Sequence, residues 1–279
     1  MKTRALAAIV IVVAGMSMVL SGCGPKPVVK KVDHIVIQSS DARGLFEVFT
    51  EVMGLPQAWA FSSYPDFETG GVQAGNVNIE TLHYGPPGDT GTALYGIVLE
   101  PYPLSEISDE LNARGAKPSK PEAQTKEVEG KEVTLWTNVY LESLSFKDYL
   151  VYLCEYEEVA RSSMGSRAAG APSGGIGLES VREVVIESSD PGLLMKKWEE
   201  VFAPWSFSRE GTMAIGTGPL VRIIDGDQDA ITGIVLEVAS LEKAGEFLEQ
   251  NQLLGESSVD SLCVAPEKVQ GLDIRIVGK

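Results

Sequence analysis

The chain has 279 residues, and 44% hydrophobic against 22% charged content describes a folded globular protein rather than an acidic disordered tail. Its 39 acidic residues outnumber 23 Lys and Arg, for a formal net charge of −16. Such a surface repels nucleic acid and anionic lipid headgroups, so nucleic acid is excluded as an expected partner. The sequence also holds no phosphate loop, dinucleotide fingerprint, GxSxG elbow or CxxC pair.

Lys2 and Arg4 precede an uncharged apolar run over 5–19, the layout of an export signal, and that run is too short to span a bilayer comfortably. Leu20-Ser21-Gly22-Cys23 follows at once. It resembles the bacterial lipobox, which implies a signal peptide over 1–22, cleavage before Cys23, and acylation of the Cys23 thiol with palmitate-type chains. Two or three such chains anchor a protein stably where one does not. An ordinary secretory signal with Cys23 incidental is the alternative. Removing 1–22 takes away Lys2 and Arg4 and no acid, so the formal charge moves from −16 to −18. Residues 23–31 then act as a tether. The expected location is the extracytoplasmic face of the cell envelope. Gly24, rather than aspartate, follows the cysteine. In a Gram-negative source this favours the outer membrane. Export permits a disulfide between Cys154 and Cys263, but each sits in a short apolar run where an unpaired cysteine packs as a small core residue.

Past the tether, 32–38 alternates like a strand and 42–53 places apolar residues at helical spacing. Short strands follow around 71–74 and 77–82. A second unit begins with a strand at 94–100 and a helix at 104–113 stopped by Gly115, and ends in strands at 132–141 and 149–155. The order then returns, with strand 181–187, helix 192–202, strand 231–238, helix 241–251 and strand 272–277. Asp41 and Asp190 follow serines just ahead of helices and are expected as N-terminal caps.

Three matches in the same order show that this return is a duplication. His34-Ile35-Val36-Ile37-Gln38-Ser39-Ser40-Asp41 recurs as Glu183-Val184-Val185-Ile186-Glu187-Ser188-Ser189-Asp190. Trp59-Ala60-Phe61-Ser62 recurs as Trp205-Ser206-Phe207-Ser208, and Gly96-Ile97-Val98-Leu99-Glu100 as Gly233-Ile234-Val235-Leu236-Glu237. Between the copies, 159–177 is rich in Ser, Gly and Ala and reads as a flexible linker. The expected domains are 32–158 and 178–279.

The first-strand run Asp33-His34-Ile35-Val36-Ile37, the strand Gly75-Asn76-Val77-Asn78-Ile79-Glu80 and the helix end Leu111-Asn112-Ala113-Arg114-Gly115 resemble the vicinal oxygen chelate, or glyoxalase-like, superfamily. The resemblance implies an α+β fold of tandem glyoxalase-like domains, each made of two βαβββ units that curl into a partly open β-barrel. It also implies one divalent metal, held by His or Glu on the first and last strands of each unit.

Alternation tests which residues share the cavity face. His34, Val36 and Gln38 share one face of the first strand, and Asn76, Asn78 and Glu80 share one of the fourth. At the family's fifth-strand position stands Gly96, which has no side chain to offer a metal. His34, Glu80 and Glu155 are the expected ligands for Zn, Mn or Fe in the first domain, although Glu155 shares its face with Val151 and Leu153. The alternative is that His34 and Glu80 bond each other without metal. Glu80 is the candidate proton-transfer residue. His83, three residues from Glu80, is expected to face away from it. Gln38, Asn78, Trp136, Asn138 and Tyr140 are candidate ligand contacts, with core packing as the other reading of Trp136 and Tyr140. In the second copy Glu183 replaces the histidine and Arg222 or Arg275 would oppose a metal, so an ion pair with Glu183 or Glu187 is expected there.

Two functions follow. One is an envelope-anchored module that binds a small oxygenated molecule; the other is a metal-dependent lyase, isomerase or ring-cleaving dioxygenase.

Overall fold

A computed structural model describes residues 24–85, 91–128, 130–163 and 173–279. The signal, the lipobox and Cys23 lie outside the described residues, as does 164–172 of the expected linker. Among the described residues no helix is long and apolar enough to cross a membrane.

The first copy runs β1 (Val29–Gln38), α1 (Ala42–Glu47), β2 (Gln57–Ser63), β3 (Phe67–Ala74) and β4 (Val77–Tyr84). It continues as β5 (Ala93–Pro101), α2 (Leu104–Ala113), β6 (Glu122–Val128), β7 (Lys131–Tyr140) and β8 (Leu150–Tyr156). These are two complete βαβββ units. After α3 (Glu158–Ser163), the second copy runs β9 (Leu178–Ser188), α4 (Pro191–Phe202), β10 (Thr212–Ala214) and β11 (Leu220–Asp225). It ends with β12 (Ala230–Val238), α5 (Leu241–Gln250), β13 (Leu254–Ser257), β14 (Ser261–Val264) and β15 (Ile274–Gly278).

Its first unit is abbreviated, because only two strands follow α4. The repeated Trp205-Ser206-Phe207-Ser208 is a loop here, not the counterpart of β2. The Phe207 amide donates to the Glu199 carboxylate at 2.8 Å and the Trp205 amide to the Phe202 carbonyl at 3.2 Å. Those donors are therefore spent locally and not offered to a ladder.

The helices begin where the caps were expected. Asp41 accepts from the Gly44 amide and Asp190 from the Leu193 amide. The helix expected over 42–53 forms, but Val48–Val52 winds as a π-turn, with the Met53 amide bonded five residues back to Val48. Phe49 and Met53 still both reach the core.

β1 lies between β4, its parallel partner, and β5, its antiparallel one, and β5 pairs onward with β8 in parallel. The order β4-β1-β5-β8 is matched in the second copy by β11-β9-β12-β15. Alternation then sorts the side chains. Ile35, Ile37, Ile79, Ile97, Val151 and Leu153 join Leu45, Phe49 and Leu111 in a core that continues through both copies. Each such fully buried side chain contributes about 1.5–3 kcal/mol. The opposite, concave face of the first copy carries a separate cluster of Val36, Leu82, Val98, Tyr152 and Cys154.

The copies touch intimately. Leu94 of β5 pairs with Ile231 of β12. Asn76 both donates to and accepts from the Val181 backbone at 3.0 Å. Arg114 donates to the Val201 and Ala203 carbonyls. Gly75, at φ +70°, turns against the Glu179 carbonyl, and Gly216, at φ +61°, turns against that of Lys30; a Cβ at either would collide with that oxygen.

Within the expected linker, α3 is tied to β5 by Arg161, which donates to Glu100 at 3.1 Å. Residues 173–178 form a turn whose Gly175 amide donates to Met53. Cys154 and Cys263 are free thiols.

Candidate functional site

His34 sits at the centre of β1, on the concave face, and is buried. Its Nε2 lies 3.3 Å from Glu80 on the neighbouring β4, and its Nδ1 lies 3.1 Å from Asp33. Strict alternation would put Asp33 on the opposite face from His34. A register shift against β5 between Val32 and His34 interrupts the alternation and lets Asp33 reach the imidazole. Thr69 of β3 donates to Glu80 at 2.5 Å, and the Tyr156 hydroxyl of β8 donates to Asp33 at 3.1 Å. Trp59 and Tyr152 present ring edges to the imidazole at 6.0 and 6.3 Å between centroids.

Burial alone would lower the imidazole pKa, but the hydrogen bonds and charges of Asp33 and Glu80 outweigh it and raise the value to about 9. At neutral pH His34 is therefore an imidazolium clamped between two carboxylates. Burial pushes the Tyr152 and Tyr156 phenols and the Cys154 thiol up, which keeps all three neutral.

Two of the three expected ligands, His34 and Glu80, are brought together. The third expectation is corrected, since Glu155 points to the other face of β8 and accepts from the Leu104 amide at 3.2 Å, capping α2. Val151 and Leu153, with which it alternates, lie in the main core. A catalytic zinc or non-haem iron site uses three protein donors. Here β5 contributes Gly96, packed beneath Val36 and Tyr152, and β8 turns Tyr152 and Cys154 inward. Among the described residues no three His, Cys, Asp or Glu converge on a common point. With two converging donors, the set does not fit a resident divalent metal of that kind.

Of the expected ligand contacts, Trp136 and Tyr140 of β7 pack against the concave cluster. Tyr140 lies 5.1 Å from Tyr152 between ring centroids, and Trp136 lies 6.4 Å from Tyr64, which stacks on Phe67. Asn138 alternates between them with its Oδ1 buried and unpartnered. Asn78 is buried one alternation from Glu80, and Gln38 is half-buried at the end of β1. His83 faces away from Glu80 as expected, its Nδ1 2.9 Å from the Ser39 carbonyl oxygen. Sequence reasoning missed Asp33, Thr69, Tyr156 and Trp59. Only Tyr156 left a signal, the inward parity of Tyr152 and Cys154.

The second copy places a different triad at the same positions. Glu183 takes the place of His34 and receives a bidentate Arg222 at 2.6 and 2.9 Å, the ion pair expected there. Arg182, in the place of Asp33, lies 3.9 Å from Glu183. The Arg222 hydrogen bonds hold the Glu183 carboxyl below its usual range.

No protein-family model and no curated protein sequence matches the chain. Solved structures do. A triple mutant of 4-hydroxymandelate synthase from Streptomyces coelicolor superposes with TM-score 0.61 at 10% identity, covering 91% of this chain and 93% of that one. Homoprotocatechuate 2,3-dioxygenase from Arthrobacter globiformis gives 0.60 at 11%, covering 92% and 82%. A Mn(II)-bound glyoxalase from Novosphingobium aromaticivorans gives 0.58 at 11%, covering 91% and 83%. The chain thus has the tandem glyoxalase-like α+β fold, with an open sheet and repeated βαβββ-type units.

Proposed function

We propose that the protein is an envelope-anchored lipoprotein that binds a small oxygenated molecule on the concave face of its first copy without transforming it. The observation that carries this reading is that His34 meets only Glu80 from the expected ligand set, with no third His, Cys, Asp or Glu converging on them among the described residues. Around the pair, Tyr64, Phe67, Trp136 and Tyr140 supply half-buried rings, suited to the face of a flat ligand. Asn138 supplies an amide in the same wall. The competing reading, metal-assisted lyase, isomerase or dioxygenase chemistry, rests on the meeting of His34 with Glu80, and two donors fall short of what it requires.

Thermal-shift screening of the mature chain against small neutral aromatic alcohols and ketones tests the proposal. Saturable stabilisation that Trp136→Ala or Tyr140→Ala removes is expected, with the compound recovered unchanged. Conversion of a bound compound, or binding indifferent to both substitutions, would overturn it.

A further inference from the structure

The concave face of the second copy is not packed like that of the first. β13 and β14 have four residues each where β6 and β7 have seven and ten, so the small Cys263 faces Arg275 in register where Tyr140 faces Tyr152, and β14 ends short of a counterpart to Trp136. β10 has three residues where β3 has eight and carries Phe67. What remains is a cavity of about 420 Å³ over β9, β11, β12 and β15, a size suited to a small molecule.

Its chemistry is legible from its lining. Val185, Ile224, Val235 and Val277 give it an apolar wall, and the charged groups are Arg182, Arg222, Arg275, Glu183 and Asp273. Three guanidiniums face two carboxylates, a local excess of one positive charge on a chain of formal charge −16. Glu183 occupies Arg222 in a bidentate pair and draws on Arg182. Arg275 is exposed in the cavity, and its guanidinium makes no ion pair or hydrogen bond among the described residues. It pairs in register with Val235, as Tyr152 pairs with Val98 in the first copy, so a guanidinium fork replaces a buried ring.

We propose that this cavity is a second binding site, specific for a small organic monocarboxylate whose carboxylate meets the Arg275 fork and whose apolar body lies along Val185, Ile224 and Val235. A guanidinium matches a carboxylate in a planar, two-bond geometry. The single excess charge suits a monoanion better than a phosphate dianion. The site goes beyond the function proposed above and stands independently of it.

Benzoate is the probe, with benzyl alcohol as its uncharged counterpart and phenyl phosphate as the dianion. Titrations follow the arginine Nε–H resonances of the full mature chain. Benzoate is expected to shift them saturably, benzyl alcohol to leave them unmoved, and phenyl phosphate to bind more weakly. Arg275→Gln should weaken benzoate about tenfold, the loss of one charge-assisted contact. It should leave the unfolding midpoint in place, because Arg275 supports no other group. Trp136→Ala should leave benzoate binding unchanged, which separates this site from the first. Absence of a saturable shift, an equal shift of the arginine resonances by benzyl alcohol, indifference to Arg275→Gln or loss in Trp136→Ala would overturn the site. Tighter phenyl phosphate would overturn the carboxylate assignment.

Discussion

Glu80 and Arg222 occupy one position of the repeated fold with opposite charge. Each is the parallel-strand partner of the valine two residues beyond the first-strand site residue, Val36 in one copy and Val185 in the other. The inversion extends to the residues they meet. Asp33, His34 and Glu80 in the first copy become Arg182, Glu183 and Arg222 in the second, so the ionic contact across the strands persists while every sign reverses.

The contact is expected to be worth measuring in the second copy by a double-mutant cycle. Glu183→Gln and Arg222→Gln should each destabilise, and the cycle should return a coupling of about 1–2 kcal/mol, the range for a bidentate pair discounted for partial exposure. Chemical denaturation of the four proteins gives the number, and a coupling near zero would show that the pair is only a surface contact.

In the first copy the same position sets a pH dependence. The folded His34 pKa, about 9, lies above the ordinary imidazole value of 6.5, so its stabilisation is complete below about pH 6.5 and is lost as pH rises through about 9. The loss should be on the order of 3 kcal/mol. Urea midpoints from about pH 6 to about pH 10 should fall for the native protein and fall less for His34→Gln. Parallel profiles would mean the imidazole is neutral in the fold.

Metal content is expected to be negligible. Elemental analysis of the purified mature chain should find Zn, Mn and Fe well below one ion per chain, and a chelator should leave the melting temperature unchanged. A stoichiometric ion lost in His34→Ala would restore the enzymatic reading.

Cleavage inside 164–172 should nick the chain without separating it. Asn76 grips Val181, Arg114 grips Val201 and Ala203, and the apolar core runs through both copies. The two fragments should therefore co-elute on gel filtration, and fragments that part in native buffer would mean the contacts between copies are weak.

Anchoring is tested at Cys23. Cys23→Ser should abolish acylation and move the protein from the detergent phase to the aqueous phase, and unchanged partitioning would remove the lipid anchor.

Much of this architecture was legible because duplication makes a sequence its own control. The order of strands and helices, the Asp41 and Asp190 caps, the meeting of His34 with Glu80 and the outward turn of His83 all follow from spacing and alternation. Alternation fails where the ladder is irregular. Asp33 reaches His34 only through a register shift. Glu155 sits on the core side of β8, as its shared parity with Val151 and Leu153 warned, and there it caps a helix. The lost strand near Trp205 depends on Glu199 taking the Phe207 amide, a contact eight residues apart that no periodicity announces.

The turns at Gly75 and Gly216 show what kind of molecule the duplication made. Gly75 of the first copy lies on Glu179 of the second, and Gly216 of the second lies on Lys30 of the first, while Leu94 and Ile231, the same position of the repeat, pair with each other. Residue i touching j while j touches i, with an equivalent pair meeting on the axis, is the pattern of an isologous two-fold dimer. One chain thus holds its two halves as such a dimer holds its protomers, and joining them in one chain replaces association between molecules by an effective concentration on the order of millimolar. Freed from having to recognise each other as identical partners, the two halves could diverge to opposite charge while the seam between them stayed closed.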